Sequence, residues 1–196
     1  MKHYRKTAYA YSMKQVAALA VVVFLSVAPV PGLADQNDPK LDDLFLVLRS
    51  TDDPAKAQRT EGEIWVLWVK RGVEHVDELM AAGIQAMNAG ALHTSVTVFD
   101  RVIAMAPDYA EAWNKRATVY FMMGRFDESV GDIQKTLTLE PRHFGALSGM
   151  GMIYQAIGKP QAAIEIWQKA LTINPHLAGL RRHVDEVRRG LKGRKI

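Results

Sequence analysis

Residues 76–109 read VDELMAAGIQAMNAGALHTSVTVFDRVIAMAPDY, residues 110–143 AEAWNKRATVYFMMGRFDESVGDIQKTLTLEPRH, and residues 144–177 FGALSGMGMIYQAIGKPQAAIEIWQKALTINPHL. Each stretch is 34 residues long, and the three keep phase: Gly90, Gly124 and Gly158 share one position, Pro107, Pro141 and Pro175 another. Self-similarity at a fixed period of this size marks a stack of helical units. Each unit holds two segments of about three to four turns, an ordinary helix length. The glycine ends the first segment, where a left-handed residue is needed. The proline closes the second and can open the next.

The units resemble the tetratricopeptide repeat, whose pattern is W-x2-L-G-x2-Y, then A-x3-F, then P. Residues 144–177 match through Leu147, Met150-Gly151, Tyr154, Ala163, Trp167 and Pro175. Residues 110–143 match through Trp113, Ala117, Tyr120, Ile133 and Pro141, with Arg116 where a leucine is usual. Residues 76–109 match through Leu79, Ala82-Gly83, Ala86, Ser95, Phe99 and Pro107. The fold expected is all-α, an α-solenoid of three helix pairs. Trp113 and Trp167 are expected in its core, and the small residues Gly83, Ala117 and Gly151 are expected to let paired helices approach closely.

Flanking segments complete the organisation. Residues 1–34 carry Lys2, Arg5, Lys6 and Lys14, then Val16–Ala28, apolar except for Ser26, then Gly32 and Ala34. That order describes a secretory signal peptide cut after Ala34. The alternative is an uncleaved anchor facing the periplasm, for which the apolar run is short against the ~20 residues a span needs. The protein is expected in the periplasm of a Gram-negative cell. Removing four positive charges from 25 leaves 21 Lys+Arg against 21 Asp+Glu, so the apparent basicity belongs to the export segment and no nucleic-acid partner is implied.

Residues 35–75 read as a leader and a degenerate helical pair covering the N-terminal end of the stack. Leu41, Leu44, Phe45 and Leu48 lie on one helix face, and Asp52 or Asp53 before Pro54 opens the second helix, whose buried face is Ala57, Ile64, Trp65 and Trp68. Residues 178–196 read as a capping helix with an apolar stripe, Leu180, Val184, Val187 and Leu191, and a basic tail. Residues 178–196 carry +5, and the rest of the mature chain −5. The basic end offers a weak contact to anionic membrane or glycan; a solvated cap is the plainer reading.

No nucleophile motif, phosphate loop or H-E-x-x-H is present, and with no cysteine there is no thiolate chemistry. No catalytic residue, cofactor or metal is expected, and Arg142–His143 reads as a solvated turn. Function is expected in binding. The family resemblance implies a concave groove lined by the first helix of each repeat, at positions about 100° from the core stripe. These are Asp77, Met80, Ile84, Met87 and Asn88; Glu111, Asn114, Lys115, Thr118, Phe121 and Met122; and Ser148, Met152 and Gln155. Relatives that clamp a partner's C-terminal carboxylate use Lys, Arg and Asn there; only Asn114 and Lys115 resemble that set. A methionine-rich strip suits a peptide or helix of a partner protein. The protein is therefore expected to be an adaptor or scaffold. Its alternatives are a self-associating particle whose groove its own helices fill, or an accessory factor of a cell-envelope enzyme.

Overall fold

The structure, a computed structural model, describes residues 35–193. The expected signal segment and the end of the basic tail lie outside the described residues. These residues form nine helices and no strand: α1 Lys40–Ser50, α2 Pro54–Val69, α3 Glu74–Asn88, α4 Leu92–Met105, α5 Ala110–Met122, α6 Phe126–Leu139, α7 Phe144–Ala156, α8 Pro160–Ile173 and α9 Ala178–Lys192.

The pairs α3–α4, α5–α6 and α7–α8 turn in the same way. Gly90, Gly124 and Gly158 have φ of 73°, 72° and 74°. Around each, the next amide reaches back: Ala91 N–H to Ala86 O, Arg125 to Tyr120 O and Lys159 to Tyr154 O, at 2.9, 2.9 and 2.8 Å. These bonds satisfy carbonyls left open at a helix end.

Within each pair, the small residue of the first helix is matched in size to the residue that faces it. Gly83 meets Phe99, and a Cβ there would come within 2.6 Å of the ring. Ala117 shares a core cluster with the smaller Ile133. A Cβ on Gly151 would collide with the Trp167 indole, whose Nε1–H donates to Ser148 O at 3.0 Å. Ser95 and Ser129 sit at one repeat position and donate to Gly83 O and Ala117 O at 2.9 and 2.7 Å.

Trp167 is fully buried, but Trp113 is only half-buried, beneath the Arg116 guanidinium. Arg116, the departure from the leucine pattern, forks onto Asp132 (2.7 and 2.7 Å) and reaches Asp100 at 2.6 Å. It ties α5 to α6 and α4 by charge, where a leucine would do so by burial. At the C-terminal end, Val184, Leu180, Val187 and Leu191 of α9 pack on Ala163, Ile164 and Trp167.

The N-terminal pair departs from expectation. It does not cover the end of the stack. Leu41, Phe45, Leu48, Ala57, Ile64 and Trp68 share a core with Phe144, Leu147 and Ala170 of the third repeat. The α2 helix runs as a strap across the two inter-repeat turns and the turn that leads from the third repeat into α9. Its C-terminal Val69 O accepts from Tyr109 Oη at 2.5 Å, Trp65 and Trp68 meet His143 and Phe144, and Glu61 accepts from Asn174 Nδ2 at 3.0 Å. Past α2 the chain reverses at Gly72, φ 79°, rather than at a repeat proline. Arg71 closes that corner onto Asp35 and, at 2.8 Å, onto Asp108.

Candidate functional site: a groove half closed by its own strap

Groove positions recur every 34 residues, so they fall into rows along the first helices α3, α5 and α7. The rows nearer the helix N-termini are Asp77/Glu111/Gly145, Met80/Asn114/Ser148 and Ala81/Lys115/Gly149. The later rows are Ile84/Thr118/Met152, Met87/Phe121/Gln155 and Asn88/Met122/Ala156. The strap meets the first set at Gly145 and Lys115 through Trp65, and just past its end the Arg71 N–H donates to Asp77 Oδ1 at 2.6 Å.

Beneath the strap lies a buried polar centre. Glu111 and His143 are both inaccessible to solvent. His143 Nδ1 accepts the Ala146 N–H at 3.0 Å, which caps α7. With Nδ1 acting as acceptor, the hydrogen sits on Nε2 and is donated to Glu111 Oε2 at 2.8 Å. Asn114 Nδ2 donates to the same oxygen at 3.0 Å, and Lys115 Nζ stands 2.9 Å from Oε1. Burial pushes the Glu111 carboxyl up, but the Lys115 charge and the His143 hydrogen bond outweigh it and hold the group below its ordinary range. Burial, then the charges of Glu111, Asp77 and Asp35, push the Tyr109 hydroxyl up.

Trp68 stacks on His143 with centroids 4.1 Å apart and planes at 11°; Trp65 stands edge-on to it at 5.6 Å. Lys115 Nζ lies 5.5 Å from the Trp65 ring centroid. Room for Trp65 comes from Gly145, where a Cβ would approach the indole within 2.6 Å. The Trp68 indole N–H has no partner among the described residues.

Several groove residues are therefore not available as the sequence pattern places them. Met80 is 1% exposed and belongs to the first repeat's core. Asn114, 7% exposed, and Lys115 are committed to Glu111 rather than to a ligand, which removes the pair that resembled a carboxylate clamp. Ser148 Oγ bonds to its own helix at Phe144 O. In the later rows, Met122 and Met152 are 51% and 46% exposed. Asn88 and Thr118 are also exposed; Ile84, Met87 and Phe121 are half-buried, Phe121 against Phe126. Gln155 is exposed but its Oε1 pairs with His183 Nε2 at 2.8 Å.

His143 is no solvated turn residue. One signal was legible: it shares its repeat position with Tyr109 and Leu177, whose apolar character points inward. Among the described residues no group of three His, Asp or Glu is placed to hold a metal, and no helix is long and apolar enough to cross a membrane.

Tetratricopeptide-repeat family models match residues 98–130 and 145–177. A TPR repeat-containing protein of Rhizobium etli is 38% identical over 147 residues, covering 68% of this chain and 72% of the relative. The chain belongs to the tetratricopeptide repeat family. Solved repeats share the fold. The first TPR of Spaghetti, bound to an HSP90 peptide, superposes with TM-score 0.57 at 17% identity, over 60% of this chain and 93% of that one. The TPR2B domain of yeast Sti1, in its pHsp70 complex, gives 0.54 at 19% identity, over 59% and 94%.

Proposed function

We propose that this tetratricopeptide-repeat protein is an exported protein-binding adaptor. It holds a segment of a partner against the later rows of its groove. The observation that carries the reading is the exposure of Met122 and Met152, on rows the strap leaves uncovered, beside Ile84, Met87 and Phe121. Methionine side chains adapt to varied apolar partners, and Asn88 and Thr118 supply polar contacts beside them. The HSP90 peptide in the Spaghetti complex and the pHsp70 complex of Sti1 lend the reading support by analogy. Export rests on the basic-then-apolar order of residues 1–34.

A photo-crosslinker at Met122 or Met152, with a convex control at Gln134, tests the groove in the native cell. Capture of one protein from the groove sites alone supports the adaptor. Equal capture from Gln134 overturns it. The mass of the recovered protein tests export: a chain beginning at Asp35 is expected, and an intact N-terminus in the cytoplasm overturns that part.

A second reading is self-association. The strap already fills half the groove, and on its outer side Val66, 59% exposed, lines a cleft of about 690 Å³ together with Leu67 and Gly62 of α2 and Leu44 of α1. Light scattering on the purified chain separates a monomer from a dimer.

A further inference from the structure

We infer that α9 presents a lipid-docking face, complementary to an anionic phospholipid surface. The inference is independent of the groove's partner. The apolar stripe of α9 is used up in capping Trp167. Its opposite side carries Arg181, Arg182, Arg188, Arg189 and Lys192, all exposed, against Asp185 and Glu186. Asp185 pairs with Arg188 at 3.6 Å, and Glu186 lies on the His183 side of the helix, with 3.9 Å between Oε2 and the imidazole Nδ1. Arg181 donates to Pro175 O. Arg182, Arg189 and Lys192 have no ion-pair partner among the described residues. They are spaced by seven and three residues, so they project together.

Two features favour a lipid surface over an acidic protein. The outer face holds no large apolar side chain, only Ala178, Gly179 and Gly190 between the charges, so it offers no anchor for a protein hot spot. The charge is also segregated: residues 178–196 carry +5, while residues 35–177 carry −5. A planar anionic surface attracts the first and repels the second, so contact would be made by the C-terminal end with the rest of the stack held away. Basic clusters of this kind bind acidic headgroups through summed, salt-sensitive attraction.

The chain has no cysteine, so one introduced cysteine reports locally. Gly190→Cys on α9 and Gly131→Cys on α6 are both positions where an added Cβ meets nothing within 4 Å. The full-length protein carrying an environment-sensitive dye at one of these sites is mixed with phosphatidylglycerol–phosphatidylcholine vesicles or with phosphatidylcholine alone. The expected result is a response at Gly190→Cys only, only with the anionic vesicles, lost in high salt. Arg182→Glu with Arg189→Glu should weaken it about tenfold or more. Because this double reversal on α9 keeps residues 1–34 intact, it separates contact made by α9 from vesicle binding by that segment. No response at Gly190→Cys, or one unchanged by the double reversal, overturns the inference. An equal response to soluble polyglutamate also overturns it, in favour of an acidic protein. Suppression by millimolar inorganic phosphate at constant ionic strength overturns it in favour of a free-anion site.

Discussion

The indole of Trp68 lies flat on the imidazole of His143, with centroids 4.1 Å apart, and joins a strap helix to a repeat 75 residues away. Below the ring, His143 holds Glu111 and caps α7 through its other nitrogen. One side chain thus serves the strap, the second repeat and the third. Trp68→Ala removes the stacked ring and opens a cavity, with an expected cost of ~3–5 kcal/mol. Denaturant unfolding measures this. Hydrogen exchange should show α1 and α2 losing protection before α5–α8. Uniform loss across all helices would show that the strap is not a separate layer.

The Glu111 carboxyl is held below its ordinary range when folded, so its contribution has a defined sign. That stability is fully present above the ordinary carboxyl pKa near 4.5, and it disappears as pH falls through the lower folded value. Glu111→Gln removes the buried carboxylate's pair with Lys115, whose side chain is 19% exposed, and weakens the His143 bond, with an expected cost of ~1–3 kcal/mol at neutral pH because the partners of a buried acceptor are left poorly satisfied. The difference between the variant and the parent should shrink in acid. A pH-independent difference would show that the carboxylate charge contributes nothing.

Glycines divide by what stands opposite them. Gly62 and Gly131 lie inside helices with nothing within 4 Å of an added Cβ, while Gly83 and Gly151 face Phe99 and Trp167. Alanine at Gly62 or Gly131 should stabilise by ~0.5–1 kcal/mol. Alanine at Gly83 or Gly151 should destabilise by ~1–3 kcal/mol, since a buried ring must move. Thermal melts of the four variants are the check, and a common sign for all four would refute the packing account.

Trp113 and Trp167 stand in the same kind of unit but not in the same surroundings. Trp167 is inaccessible and faces Gly151, whereas Trp113 is half-buried under Arg116, its Nε1–H on Pro107 O. Trp167→Ala should cost ~3–5 kcal/mol. Trp113→Ala should cost less, because part of its ring area never leaves water. Equal losses in denaturant midpoint would contradict the burial difference.

The repeat architecture was legible because glycine, proline and the small–large pairs recur in phase, and local signals agreed with one another. The strap was not legible, because nothing in residues 54–70 says which surface their tryptophans meet. Periodicity gives the buried face of α2 but not its partner. The cue lay elsewhere, in Gly145, which makes room for Trp65 where the first two repeats have Asp77 and Glu111. Met80 departs from its expected place for a different reason: it packs into the first repeat's own core with Val76, Phe99 and Tyr109, so the helix face it occupies belongs to the core and not to the groove.

That row structure decides how the groove must be tested. Met80→Glu would bury a charge in the first repeat's core and unfold it, so lost binding there would say nothing about binding. Met122→Glu with Met152→Glu charges only side chains that are about half exposed, and surface changes of this kind usually stay within about 0.5 kcal/mol. The double variant should keep its melting temperature and its helicity while losing partner capture. Capture retained at the parent's level, with the fold intact, would move the binding surface off these rows and onto the outer side of the strap around Val66.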